Sequence, residues 1–154
     1  MSKKIREIFH QVPKSMLETR TIKNAIKRGY FTEALVLLEV DLEIIAETYL
    51  GRELLSHGFK PRKQPKYGGG QIEYLEQERQ SRHKVIVSLL FDLSLITNKQ
   101  KEVFDRVRNT RNHFAHAWGF DRSCYSEKKI KQAIGDGLGL VDQFEMSGVI
   151  DSTD

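Results

Sequence analysis

Apolar residues along this chain recur at steps of three and four, the spacing that lines one face of a helix. Nowhere do they alternate convincingly, as a half-buried strand requires. The clearest segment is Thr32 to Gly51, where Phe31, Leu35, Leu38, Leu42, Ile45 and Tyr49 make one stripe. Val36, Leu37, Val40 and Ile44 make a second stripe on the opposite side at about 100° per residue. A helix apolar on two sides is expected to lie centrally or to be covered by a partner subunit. Its acids, Glu39, Asp41, Glu43 and Glu47, fall mostly between the stripes.

The same pattern places the other elements. Ile5, Ile8 and Phe9 predict a short helix ending near Pro13. Ser15-Met16-Leu17-Glu18 reads as a capping box, a hydroxyl and a carboxylate placed to satisfy the free amides of a helix that runs to about Arg28 and stops at Gly29. Residues 57–71, with two prolines and Gly68-Gly69-Gly70, read as a loop. Helix resumes near Ile72 and carries Val85, Ile86, Leu89, Leu90, Leu93 and Ile96. Thr97 and Gln100 then have the spacing of a second capping box, opening a helix from Lys99 to Trp118 with Val103, Phe104, Val107, Phe114 and Trp118 on its apolar side. A last helix begins after Ser126 and uses Ile130, Ile134, Leu138, Val141 and Phe144, with Gly135, Gly137 and Gly139 predicting a kink or close packing. The tail after Met146 is expected to fray. Together these elements predict one all-α domain over residues 1–154, a four- to five-helix up-and-down bundle.

Composition narrows this picture without changing it. A charged fraction of 30% and an apolar fraction of 39% suit a helix-rich globular domain. The longest apolar run, Val85 to Ile96, is broken by Ser88, Asp92 and Ser94 and falls short of the ~18 residues that spanning a membrane requires. Basic residues open the chain with no uninterrupted apolar stretch behind them, so no secretory leader is expected. Cys124 is the only cysteine and can form no internal disulfide, which fits a cytoplasmic protein. The net charge of +4 is compatible with a polyanionic partner. Lys60, Arg62, Lys63 and Lys66 lie in one acid-free loop beside Tyr67, either as a solvated segment or as a contact for RNA phosphates and bases.

The chemistry-bearing segment is the end of the helix from Lys99 to Trp118. Arg111 lies four residues after Val107 and three before Phe114, so it falls inside the apolar sector. A guanidinium stays ionised there and needs an acid, a carbonyl or a polar cleft. Glu39 or Glu43 is a candidate to meet it across the bundle. Arg108 and Asn112 border the sector, and His116 shares a face with Asn112. An Arg paired with a core acid and a His favoured by the helix dipole would account for these residues without any ligand. They also suit RNA cleavage by the neighbouring 2′-hydroxyl, which needs a base near neutral pH and a cation for the charge that builds on phosphoryl oxygens. His supplies the first and Arg the second, and no metal or other cofactor is called for.

The segment Asp105-Arg106-Val107-Arg108-Asn109-Thr110-Arg111-Asn112-His113-Phe114-Ala115-His116 resembles the signature of HEPN domains (higher eukaryotes and prokaryotes nucleotide-binding), an Arg, four to six residues, then His. On that resemblance Arg111, Asn112 and His116 form the motif, with His116 as acid or base, Arg111 stabilising phosphoryl charge and Asn112 orienting. An overlapping register, Arg108 with His113, has the same spacing, and Arg108 is a further candidate to hold phosphate. The likeness implies a helical bundle that dimerises so that two motifs face one cleft. It also implies an endoribonuclease, a toxin or antiviral defence role, and a possible nucleotidyltransferase-type antitoxin. The stretch from Lys84 through Thr97 into the motif is also similar to mannitol-operon-repressor-like proteins, which implies a non-catalytic regulator as the alternative.

Other candidates carry less chemistry. His10, His57 and His83 lack ligand spacing and read as structural or exposed. Gly68-Gly69-Gly70 lacks the Gly-Lys-Ser/Thr of a phosphate loop. Cys124 has no activating neighbour in the sequence.

Overall fold

The computed structural model of the chain describes residues 11–58, 72–116 and 127–151, with the side chains of 72–81 and 114–116 outside that description. It is an all-α bundle. A two-residue strand β1 (Val12–Pro13) and a 3-10 turn (Lys14–Met16) lead into α1 (Thr19–Lys27), α2 (Phe31–Ser56), α3 (Ile72–Asp92), α4 (Asn98–His116) and α5 (Glu127–Met146), followed by β2 (Ile150–Asp151). The predicted helix over Ile5 to Phe9 and the basic loop at 60–67 lie outside the described residues, as does the expected run of α4 on to Trp118.

One apolar side of α2 is buried within the chain and the other partly so, with Val36 and Val40 half-buried. This helix packs against all four of the others. Leu35, Leu38, Leu42 and Ile45 are fully buried, and Leu37 and Ile44 of the second stripe pack partly buried against the same core. α2 and α5 run in the same direction. Lys131 near the start of α5 lies 5.0 Å from the Phe31 ring, and Tyr49 meets Phe144 edge-on at 6.0 Å further along. α4 opposes both, since Glu39 pairs with Arg111, Arg106 with Asp136 and Gln100 with Gln143. Phe104, His83 and Phe144 stack edge and tilt around the same centre, about 5.9 Å apart.

Several boundaries differ from the pattern, each for a physical reason. Ser15 lies within the 3-10 turn and does not open α1, which begins four residues later. The amide that begins α1 is satisfied from a distance: Glu18 N–H donates to both carboxylate oxygens of Asp41 at 3.0 Å. α3 stops at Asp92, short of Ile96, because Ser94 takes a left-handed conformation (φ 60°) and Leu95 N–H turns back to Leu90. Ile96 is nonetheless buried, so its apolar spacing reflects core packing after the helix has ended. The Thr97/Gln100 capping box forms in both directions, at 2.9 and 3.1 Å.

The tail does not fray at Met146. Val149 and Ile150 are buried, and Val149 N–H bonds to Phe144. Val12 pairs with Ile150 and Pro13 with Asp151 in a parallel two-stranded ladder too short for any alternation to reveal. Gln11 and Arg52 both donate to Gly148 O, fastening this corner to α2. Among the described residues, no helix is long and apolar enough to cross a membrane.

Candidate functional site

Arg111 stands where α4 crosses the first half of α2. Its Nε lies 2.9 Å from Glu39 Oε2, an ion pair whose N–H points off the direct hydrogen-bond line. Its Nη1 donates to Asn112 Oδ1 at 3.2 Å. The guanidinium is thus held between a buried carboxylate and the amide beside it, while 17% of the Arg111 side chain still reaches solvent. Of the two acids considered as partners for Arg111, Glu39 is the one that meets it. Its side chain is only 6% exposed, so the pair is strongly desolvated on the acid side.

One turn earlier, Arg108 is 8% exposed and donates from Nη2 to Asp105 Oδ1 at 2.9 Å. Its Nη1 is buried and makes no hydrogen bond among the described residues. Because α2 and α4 are antiparallel, stepping one turn back from Arg111 and one turn on from Glu39 brings Arg108 and Glu43 to one level of the bundle. Glu39 and Glu43 are both buried, so α2 presents a seam of acid to the basic seam of α4. A single chain leaves Arg108 little surface with which to touch phosphate.

His113 is half-buried with its Nε2 out of solvent. His116 is the last residue of α4, and its side chain lies outside the described residues. The RNA-contact candidates Lys60, Arg62, Lys63, Lys66 and Tyr67 also lie outside them. His83 is buried against Phe104, as a structural histidine is, and His57 is exposed just past the end of α2.

On the outer side of α4, a groove of about 490 Å³ runs to α5 and is lined by Asp105, Arg106, Asn109, Thr110, Lys129 and Gln132, among others. Arg106 is ion-paired with Asp136, and Thr110 donates to Arg106 O, so much of that groove's polarity is already satisfied.

Two features escape the sequence pattern. Asp41 is fully buried, and desolvation pushes its carboxyl up to about 6, against the lowering effect of the Glu18 amide and with a further rise from the Glu18 charge. The periodicity of α2 places an acid there but cannot show that another element supplies its donor. The second is the face of α1 that bears Arg20, Lys23 and Lys27. The absence of any acid from Thr19 to Lys27 is the signal that reveals it.

Comparison of the chain with protein-family models, with curated proteins and with solved structures finds no match.

Proposed function

We propose that this chain is a metal-independent endoribonuclease of the HEPN type. The observation that carries the reading is the guanidinium of Arg111, set between Glu39 and Asn112 and still partly open to solvent on the helix that ends at His116. A cation fixed by its neighbours needs little reorganisation when charge builds on a phosphoryl oxygen. In the proposed reaction the RNA 2′-oxygen attacks the adjacent phosphorus and the bond from phosphorus to the 5′-oxygen breaks. The 2′-hydroxyl proton leaves to a base, and the departing 5′-oxygen takes one up. The products are a 2′,3′-cyclic phosphate and a 5′-hydroxyl. His116 serves as base or acid, Arg111 steadies the phosphoryl charge and Asn112 holds the guanidinium in place.

A homodimer that brings two motifs to one cleft would supply both base and acid. Val85 and Leu89, exposed one turn apart on α3, support such an association. The proposal extends to a cytoplasmic toxin or defence protein, with a nucleotidyltransferase-type antitoxin as a possible partner.

The test is incubation of purified protein with RNA in EDTA. Cleavage that leaves cyclic phosphate ends and is lost in His116→Ala and Arg111→Lys is expected. No cleavage by folded protein, or native activity retained in both variants, would overturn the proposal.

One observation favours a second reading. Glu39 and Asn112 account for much of the hydrogen-bonding and charge needs of Arg111 inside the fold. A regulatory module without catalysis would need Arg111 only for that. It would bind its DNA or protein partner equally well after His116→Ala.

A further inference from the structure

Besides the acid-free stretch with Lys60, Arg62, Lys63 and Lys66, positive charge gathers around α1. From Lys14 to Arg28 the chain carries five cations (Lys14, Arg20, Lys23, Lys27, Arg28) and one acid, Glu18, a net of +4 that equals the formal charge of all 154 residues. On α1, Arg20, Lys23, Asn24 and Lys27 fall within one sector of about 100°, while Ile22 and Ala25 turn the opposite way into the core. The cationic sector lines a shallow groove of about 520 Å³ with Lys14, Thr19 and Asn24, and no acid lines it. Lys14 is paired with Glu145. Arg20, Lys23 and Lys27 form no ion pair among the described residues.

We propose that this face of α1 docks single-stranded RNA through its phosphate backbone. Unpaired like charges on one helix face repel one another, so the arrangement gains most when a polyanion displaces the counterions it holds. Arg20 and Lys27 stand about 10 Å apart along the axis with Lys23 between them, and their long side chains can reach neighbouring phosphates of one strand. Asn24 and Thr19 add an amide and a hydroxyl for sugar or phosphate oxygens.

Past the end of α1 lies a second groove lined by Arg28, Tyr30 and one acid, Glu33, with Tyr30 55% exposed. A cationic groove ending at an open aromatic ring is the combination that accepts a backbone and stacks an unpaired base. An anionic membrane would suit α1 less well, because Ile22 and Ala25, the apolar residues an interfacial helix would insert, are already buried. Docking stands on α1 alone. Only the choice of RNA over single-stranded DNA rests on the proposed cleavage activity.

The experiment measures anisotropy of a labelled oligonucleotide whose 2′-hydroxyls are methylated, so that cleavage cannot affect the reading. The triple variant Arg20→Gln, Lys23→Gln, Lys27→Gln is compared with a control triple, Lys84→Gln, Lys99→Gln, Lys128→Gln, exposed lysines elsewhere on the surface. Helicity is checked for both. The α1 variant is expected to bind roughly tenfold or more weakly and to flatten the log–log salt dependence by about two, while the control changes little. Equal weakening by the two triples would overturn the proposal, as would absence of binding by the native protein at low salt. Binding confined to phosphatidylserine vesicles would overturn it too, and a preference for DNA over RNA would overturn the choice of strand. Binding that survives with no cleavage of ordinary RNA would leave docking supported and count against the catalytic reading alone.

Discussion

The role of Arg111 in the fold and its proposed role in cleavage can be separated by substitution. Its charge is the counter-charge of a buried carboxylate, so Arg111→Gln strands Glu39 and is expected to cost on the order of 3 kcal/mol of stability. Glu39→Gln in the same chain removes the stranded charge. The double variant should recover most of the loss in a denaturant titration while leaving RNA cleavage absent. Recovery of cleavage along with stability would mean that Arg111 acts only through the fold.

Asp41 makes a complementary test because its burial works in the other direction. Its carboxyl is raised from 3.8 to about 6, so the unfolded chain ionises first and stability contributed at this site falls as pH rises through that window. Other groups titrate in the same range, so total stability alone does not isolate Asp41. Asp41→Asn keeps one acceptor for the Glu18 amide and removes the titration. Relative to native protein, the variant should gain about 2–3 kcal/mol between pH 4 and pH 7. A stability difference that does not vary with pH would show that Asp41 ionises normally.

At the scale of the element, the three glycines of α5 divide sharply. A methyl group on Gly137 would stand 2.5 Å from Leu38 Cδ2 and 3.0 Å from Val107 Cγ2, side chains of α2 and α4 that pack on this stretch of α5. Gly135 and Gly139 have nothing within 4 Å of that position. Alanine should therefore stabilise the chain by up to about 1 kcal/mol at Gly135 or Gly139, by helix propensity. At Gly137 it should destabilise it by about 1–3 kcal/mol, because Leu38 and Val107 are buried and have little room to yield. Equal thermal shifts at all three positions would count against this packing.

Such particulars mark what a sequence can reveal. The stripes of α2 and the Thr97/Gln100 box are local, set by residues a few positions apart, and they read directly. The end of α3 is disguised, because Leu95 and Ile96 keep an apolar spacing that serves the core after Ser94 has turned the chain. The start of α1 depends on Asp41, 23 residues away from Glu18, and the β1–β2 ladder joins the two ends of the described chain. Neither contact leaves a periodic trace. At the candidate site, the apolar placement of Arg111 implies a need for a partner, but only the register of α2 against α4 selects Glu39 over Glu43.

At the scale of the whole molecule, the case for self-association shifts from α2 to α3. The two apolar sides of α2 suggest a partner subunit, yet α1, α3, α4 and α5 of the same chain pack against this helix and leave only Val36 and Val40 of its stripes half-buried and outside the core cluster. Among the exposed apolar residues described, Val85 (56% exposed), Leu89 (42%) and Leu93 (52%) recur at steps of four along α3 and the turn beyond it. Three large apolar residues in register make a ridge that loses contact with water when a second copy packs against it. Sedimentation at micromolar concentration should therefore give a dimer. Leu89→Glu should give a monomer of unchanged helicity, since Leu89 contributes little to the buried core of its own chain. If cleavage requires two motifs in one cleft, that monomer should also lose RNase activity while its α1 face still binds the methylated oligonucleotide. A native chain that sediments as a monomer at all concentrations would remove the basis for a shared cleft. A fully active Leu89→Glu monomer would place the whole reaction within a single bundle.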